Sequence, residues 1–117
     1  MAKSRNNAIM QEVKKVLPKR AFAVIKWWHQ EYDEVWAVSS HQYPTKEWVN
    51  ALIFQQFVLM SPNGISNNFL GWGISSIEIL NENQFYDLQI KDFDLLLNGI
   101  EVTSETQKHI ELHGFEK

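Results

Sequence analysis

RAFAVIKWWHQEYDEVWAVSS, the stretch from Arg20 to Ser40, decides the fold. Phe22, Val24, Lys26 and Trp28 fall on one side of a two-residue alternation, and Ala23, Ile25, Trp27 and His29 on the other. After the short, mostly charged interruption Gln30 to Glu34, Val35, Ala37 and Ser39 alternate with Trp36 and Val38. β-Branched and aromatic residues around a charged break predict two strands joined as a hairpin. A helix over residues 21–31 is the rival, because Phe22, Ile25, Trp28 and His29 also fit helical spacing. Apolar character on both sides of the run and the charged break favour the hairpin. Neighbours in a strand point to opposite faces, so Trp27 and Trp28 are expected to part company. One indole then lies away from the main core, packed under another element or offered to a partner, tryptophan being enriched at interface hot spots.

Upstream of the hairpin, Ser4 to Leu17 reads as an amphipathic helix. Ser4 is its N-cap, Ile9, Val13, Val16 and Leu17 form one apolar stripe, and Pro18 stops it. Downstream, His41 to Thr45 is a turn. Lys46 to Met60 fits two templates: Trp48, Leu52 and Leu59 along a helix capped by Thr45, or Val49, Ala51, Ile53, Phe57 and Leu59 on one strand face. The density of Phe, Val and Ile favours a long strand, bulged at Gln55-Gln56. Ser61 to Asn68 is a loop. Phe69 to Leu80 is expected to be a strand, with Gly71-Trp72-Gly73 marking a sheet distortion or close backbone approach rather than a phosphate loop. A turn at Asn81 to Asn83 leads to a return strand, Phe85 to Leu97. Asn98-Gly99 is the strongest short-range hairpin signal in the chain, although a helix ending at Gly99 competes with it. Ser104 is expected to cap a last helix to His113, closed by Gly114 with Phe115 folding back. The fold class expected is therefore α+β: an antiparallel meander of about four to six strands. An N-terminal amphipathic helix and a short C-terminal helix flank that sheet, leaving its second face partly open.

At 117 residues the chain suits one domain. With 44% hydrophobic and 21% charged residues it belongs with globular chains, not disordered ones. No run reaches the ~18 uninterrupted apolar residues of a membrane helix, and no apolar core follows Lys3 and Arg5 to make a signal peptide. Cysteine is absent, which excludes disulfides and thiolate metal sites and fits the cytosol. The net charge of −3 hides a segregation. Residues 1–26 hold seven basic groups against Glu12 alone, net +6, and residues 27–117 hold four lysines against thirteen acids, net −9. Such asymmetry points to a charged partner, or to two patches that neutralise each other within the fold.

Candidate chemistry is sparse. His109 and His113 stand four apart on one helix face with Glu105 a turn earlier, but no third ligand follows by spacing, and HIELH lacks the adjacent glutamate of a zinc-protease motif. No metal or cofactor is therefore expected. His29 and His41 end the two hairpin strands. With Tyr32 they offer an acid–base set of the kind that cleaves RNA, at the mouth of an aromatic-lined pocket. The acids Glu78, Glu82, Asp87, Asp92, Asp94 and Glu101 are expected to line consecutive strands and turns. Such a surface imitates phosphates, with Trp27 or Trp28 as anchor. Binding rather than catalysis is the leading expectation: a small acidic cytosolic inhibitor, such as an immunity protein or antitoxin that neutralises a basic nuclease. Size and charge alone suggest it. Its partner is a basic protein, with no membrane. Nucleic acid contact through residues 3–26 and homodimer formation are the further options.

Overall fold

A computed structural model describes residues 19–60 and 71–116; the expected N-terminal helix, the expected Ser61 to Asn68 loop and the first two residues of the strand expected from Phe69 lie outside them. Strands β1 (Ala21–His29) and β2 (Tyr32–Ser40) form the expected hairpin, paired antiparallel from Ala21↔Ser40 to His29↔Tyr32. Only Gln30 and Glu31 make the turn. Gln30 takes φ 53°, the left-handed conformation that a two-residue hairpin loop demands. The charged residues Asp33 and Glu34 thus belong to the strand, because Glu34 finds partners there: His29 at 2.6 Å and the Trp36 indole at 3.3 Å.

The remainder of the sheet departs from the expected antiparallel meander. The architecture is α+β, but its four strands are mixed, in the order β3-β1-β2-β4. Strand β3 (Trp72–Leu80) pairs antiparallel with β1, and β4 (Leu95–Asn98) runs parallel to β2. Both β3 and β4 therefore run in one direction from opposite edges. Joining two such strands requires a crossover, since a tight turn reverses the chain. Residues 81–94 are that crossover.

The expected return strand, Phe85 to Leu97, is overturned for a local reason. Asn81 accepts from the Gln84 backbone at 2.8 Å while the Gln84 side chain accepts from the Asn81 backbone at 2.9 Å. This reciprocal capping box starts the short helix α1 (Glu82–Tyr86) in place of a simple turn. A 3-10 turn (Ile90–Asp92) follows, closed by the Asp92 carboxylate accepting from the Gln89 backbone. The crossover lays Phe85, Leu88 and Phe93 on the outer face of the sheet, over Phe22, Ala37 and Leu80.

Lys46 to Leu59 is a helix, not the expected strand, and it lies between strands. Helix α2 (Lys46–Ile53) starts where Thr45 accepts from the Trp48 backbone at 3.1 Å. It widens into a π-helical segment, Phe54–Leu59. Trp48, Val49, Leu52, Ile53 and Val58 are buried, the spacing of a helix pressed on a sheet rather than of a strand. They pack on Ala23, Ile25, Trp27, Trp36 and Val38 from the inner face. Helix α3 (Ser104–His113) completes this layer. Its cap is Thr103, one residue before the expected Ser104, because the Thr103 hydroxyl accepts from the Thr106 backbone.

Asn98-Gly99 is a turn but neither a hairpin nor a helix end. Gly99 has φ 76°, and its amide and that of Ile100 both donate to the Ser39 carbonyl, at 2.9 and 3.0 Å. The chain is thereby steered off the sheet, and Val102 is buried beneath the helices instead of continuing a strand.

Candidate functional site

The helical layer contains a groove of about 630 Å³ between α2 and α3. Trp48 and Ala51 from α2, Val102, Ile110 from α3 and Phe115 supply its apolar lining. Glu47 from α2 and Glu111 from α3 also line it, and among the described residues no Lys, Arg or His does. Phe115 is held by Gly114, whose φ of 64° turns the chain back after α3. Its ring then meets Phe54 and Trp72 edge-on, at centroid separations of 5.5 and 5.4 Å. The expectation that Phe115 folds back is met.

Two glutamines, Gln42 in the groove wall and Gln55 outside it, tie down the segment that carries Val102. The side-chain carbonyl of Gln42 accepts from the Trp48 indole and from the Val102 backbone, and its amide donates to the Val102 carbonyl at 3.2 Å. Gln55, 2% exposed, accepts from the Thr103 backbone at 2.9 Å and the Thr106 hydroxyl at 2.8 Å while donating to the Glu101 carbonyl at 2.9 Å. Residues 101–103 have left the sheet, so their backbone groups need partners other than a ladder. The two side-chain amides supply them, imitating a neighbouring strand.

The acids singled out from sequence do not form a row. Glu78 lies on β3 opposite Val24, and Glu82 is on α1. Asp87 caps that helix, and Glu101 is bound through its backbone to Gln55. Asp92 and Asp94 spend their carboxylates on backbone amides: Asp92 on Gln89 three residues away, Asp94 across to Val35 of β2 at 2.8 Å. Their alternation reflects one turn closure and one tertiary contact, not a strand face.

The histidine set is also dispersed. His29 and Tyr32 are paired at the hairpin tip, their rings 5.5 Å apart. His41 follows the other end of β2, separated by roughly 25–30 Å of strand. His29 is packed against Trp27 and Phe57 as well as bound to Glu34. His109 and His113 do share a face, with rings 5.0 Å apart, and His109 also meets Phe54 and the Glu116 carbonyl. Among the described residues no cluster of three or more His, Asp or Glu is placed to hold a metal ion.

The tryptophan pair separates as the strand period requires. Trp27 is 1% exposed within the inner core, and Trp28 is 40% exposed on the outer face. Trp28 lies flat on Gly73, where a Cβ would stand 2.7 Å from three indole atoms. The close backbone approach expected at GWG is this contact. The sheet irregularity itself sits nearby, where the β1–β3 register shifts between Lys26 and Trp27.

Sequence reasoning missed Gln42, Glu47, Trp48, Ile110 and Glu111 as participants in one site. Glu47 and Trp48 follow a Thr cap, which signals a helix start, but nothing local announces that α3 will lie beside it.

No protein-family model, curated protein or solved structure matches this chain. What the fold and groove define is an architectural class: α+β, a mixed four-stranded sheet with a two-helix layer on its inner face. None of the described helices is long and apolar enough to cross a membrane.

Proposed function

We propose that the protein is a binding protein of the cytosol whose partner is basic, and that the α2–α3 groove is where it binds. The observation that carries this reading is the groove's make-up: an apolar lining of Trp48, Ala51, Val102, Ile110 and Phe115, together with Glu47 and Glu111 and, among the described residues, no cation. Tryptophan at the centre of a concave surface is the usual anchor of an interface, and a single-sign border selects partners of opposite charge. The acids dispersed over Glu78, Glu82, Asp87, Asp92, Asp94 and Glu101 add a negative field that speeds encounter. Inhibition of a basic enzyme, in the manner of an immunity protein or antitoxin facing a nuclease, is the role such a binder would fill.

The test is capture from lysate with nuclease treatment, run in parallel on the natural chain and on Glu47→Lys/Glu111→Lys. A basic protein held by the natural chain, released by salt and lost from the double variant supports the reading. Capture that survives the charge reversal and also Trp48→Ala would place binding elsewhere and sink it. A small apolar ligand is the second reading, favoured by a volume inside the range of about 300–1,000 Å³ usual for such sites. Ligand binding that quenches Trp48 but ignores charge reversal would select it.

A further inference from the structure

We propose that His109 and His113 form a two-histidine chelate on α3 for a late first-row divalent cation, copper(II) being held most tightly. Imidazole nitrogen suits copper, nickel and zinc, and among these divalent ions affinity for a given site peaks at copper.

Spacing brings the pair together. Residues four apart on a helix stand one above the other on the same face, and the two rings have centroids 5.0 Å apart. A metal–nitrogen bond of about 2.0–2.1 Å puts each imidazole centroid about 3.2 Å from the ion. Two rings meeting one ion at about 90–110°, between square and tetrahedral geometry, then have centroids about 4.5–5.2 Å apart. The observed separation falls inside that span. The ring planes are inclined at 53°, so the two are not stacked face to face.

His109 is also held in the way a metal ligand is held. Its ring packs at 5.5 Å on Phe54, which is fully buried. Its Nε2 is bonded to the Glu116 carbonyl. A carbonyl only accepts, so Nε2 carries the proton, and in the neutral imidazole the lone pair sits on Nδ1. Ligating histidines characteristically donate their second ring N–H to a carbonyl or carboxylate, which fixes the tautomer and strengthens the other nitrogen as a donor. Gly114, at φ 64°, turns the chain after α3 and returns Glu116 to this position. His113, in the last turn of α3, is exposed and forms the open side of the site.

Among the described residues no third His, Asp or Glu joins the two, so solvent completes the coordination sphere. Neither histidine lines the α2–α3 groove. The chelate is therefore a separate site, and it stands whether or not the groove takes a basic protein.

The experiment uses the full chain and copper(II) chloride alone, followed by amide NMR spectra and by competition with a copper-binding dye of known affinity. One equivalent of copper(II), a paramagnetic ion, is expected to broaden the amide signals most strongly around residues 109 and 113. Magnesium(II), which takes oxygen ligands, should change nothing there. His113→Ala should weaken copper binding about tenfold or more, because a second donor on the same helix acts at high effective concentration. Glu111→His/His113→Ala keeps the number of histidines but sets the pair two apart, where side chains do not face each other, and should bind as weakly. Position 113 is exposed, so both variants are expected to keep the natural amide spectrum outside α3. His109→Ala, which also removes the ring packed on Phe54, should lose the broadening too. An absence of broadening at one equivalent overturns the proposal. So does broadening centred on His29, His41 or residues 1–3, and so does an affinity that the two-apart variant leaves unchanged.

Discussion

Trp27 and Trp28 are joined by one peptide bond and belong to two different interiors. Trp27 faces the helical layer, where its ring packs edge-on to Trp36 at 4.9 Å and Phe57 at 5.2 Å. Trp28 faces outward, seated on the bare backbone of Gly73 and 40% exposed. The inner face is a closed core with helices laid over it. The outer face is covered at one end by the crossover, where Phe22 and Phe85 meet at 4.9 Å, and keeps Lys26, Trp28, Ser76 and Glu78 exposed. The difference shows how a nine-residue strand serves two purposes at once: alternate positions build stability and leave the others available for charge and contact.

That comparison can be broken most severely at Trp27. Trp27→Ala is expected to cost about 3–5 kcal/mol, because a large buried ring leaves a cavity its neighbours only partly fill. Trp28→Ala should cost less than half of that, and urea unfolding of the two variants measures the contrast. Equal losses would mean that the outer face is as closed as the inner one.

Gln55→Leu comes next, at about 2–4 kcal/mol. It keeps the volume but strands the Thr103 amide and the Glu101 carbonyl, each of which carries a desolvation cost of about 1–3 kcal/mol. Faster hydrogen exchange at Thr103 would accompany the loss. Were the variant as stable as the natural chain, the glutamine would not be holding the 101–103 segment.

Gly73→Val should cost about 1–3 kcal/mol, as added atoms meet the Trp28 ring. The ring is half free, so pairing it with Trp28→Ala should recover most of the loss. A double-mutant cycle with no coupling would show that the glycine serves something other than this indole. The smallest effect is expected at the hairpin turn, which belongs to neither face. Gln30→Gly relieves a left-handed φ and should gain at most about 1 kcal/mol, part of it offset by the greater freedom of an unfolded glycine.

Where the sequence was legible, one short stretch carried its own answer. The hairpin could be read because alternation, β-branched residues and a charged turn all agree within twenty residues, and so could the opposed tryptophans. The terminal helix was legible from its Thr-Ser start and Gly114. Residues 46–60 were not, since Trp48, Leu52 and Leu59 fit a helix while Val49, Ala51, Ile53, Phe57 and Leu59 fit a strand face equally well. The crossover was misread because Asp92, Phe93, Asp94 and Leu95 alternate like a strand although the carboxylates are spent on backbone amides. Asn98-Gly99 was correctly a turn, but a turn does not say which way the chain leaves.

By itself, then, the sequence determined the hairpin, its register of inward and outward residues, the last helix and the segregation of charge. Those follow from contacts between residues close along the chain, whose geometry the backbone period sets. Tertiary structure decided the parallel β2–β4 pair, the helix in place of a strand at 46–59, and the groove. Each depends on groups far apart in sequence: Val35 with Asp94, Ser39 with Gly99, Gln55 with Thr103. Their energies reward a chain already brought together, and no local pattern of residues records that meeting.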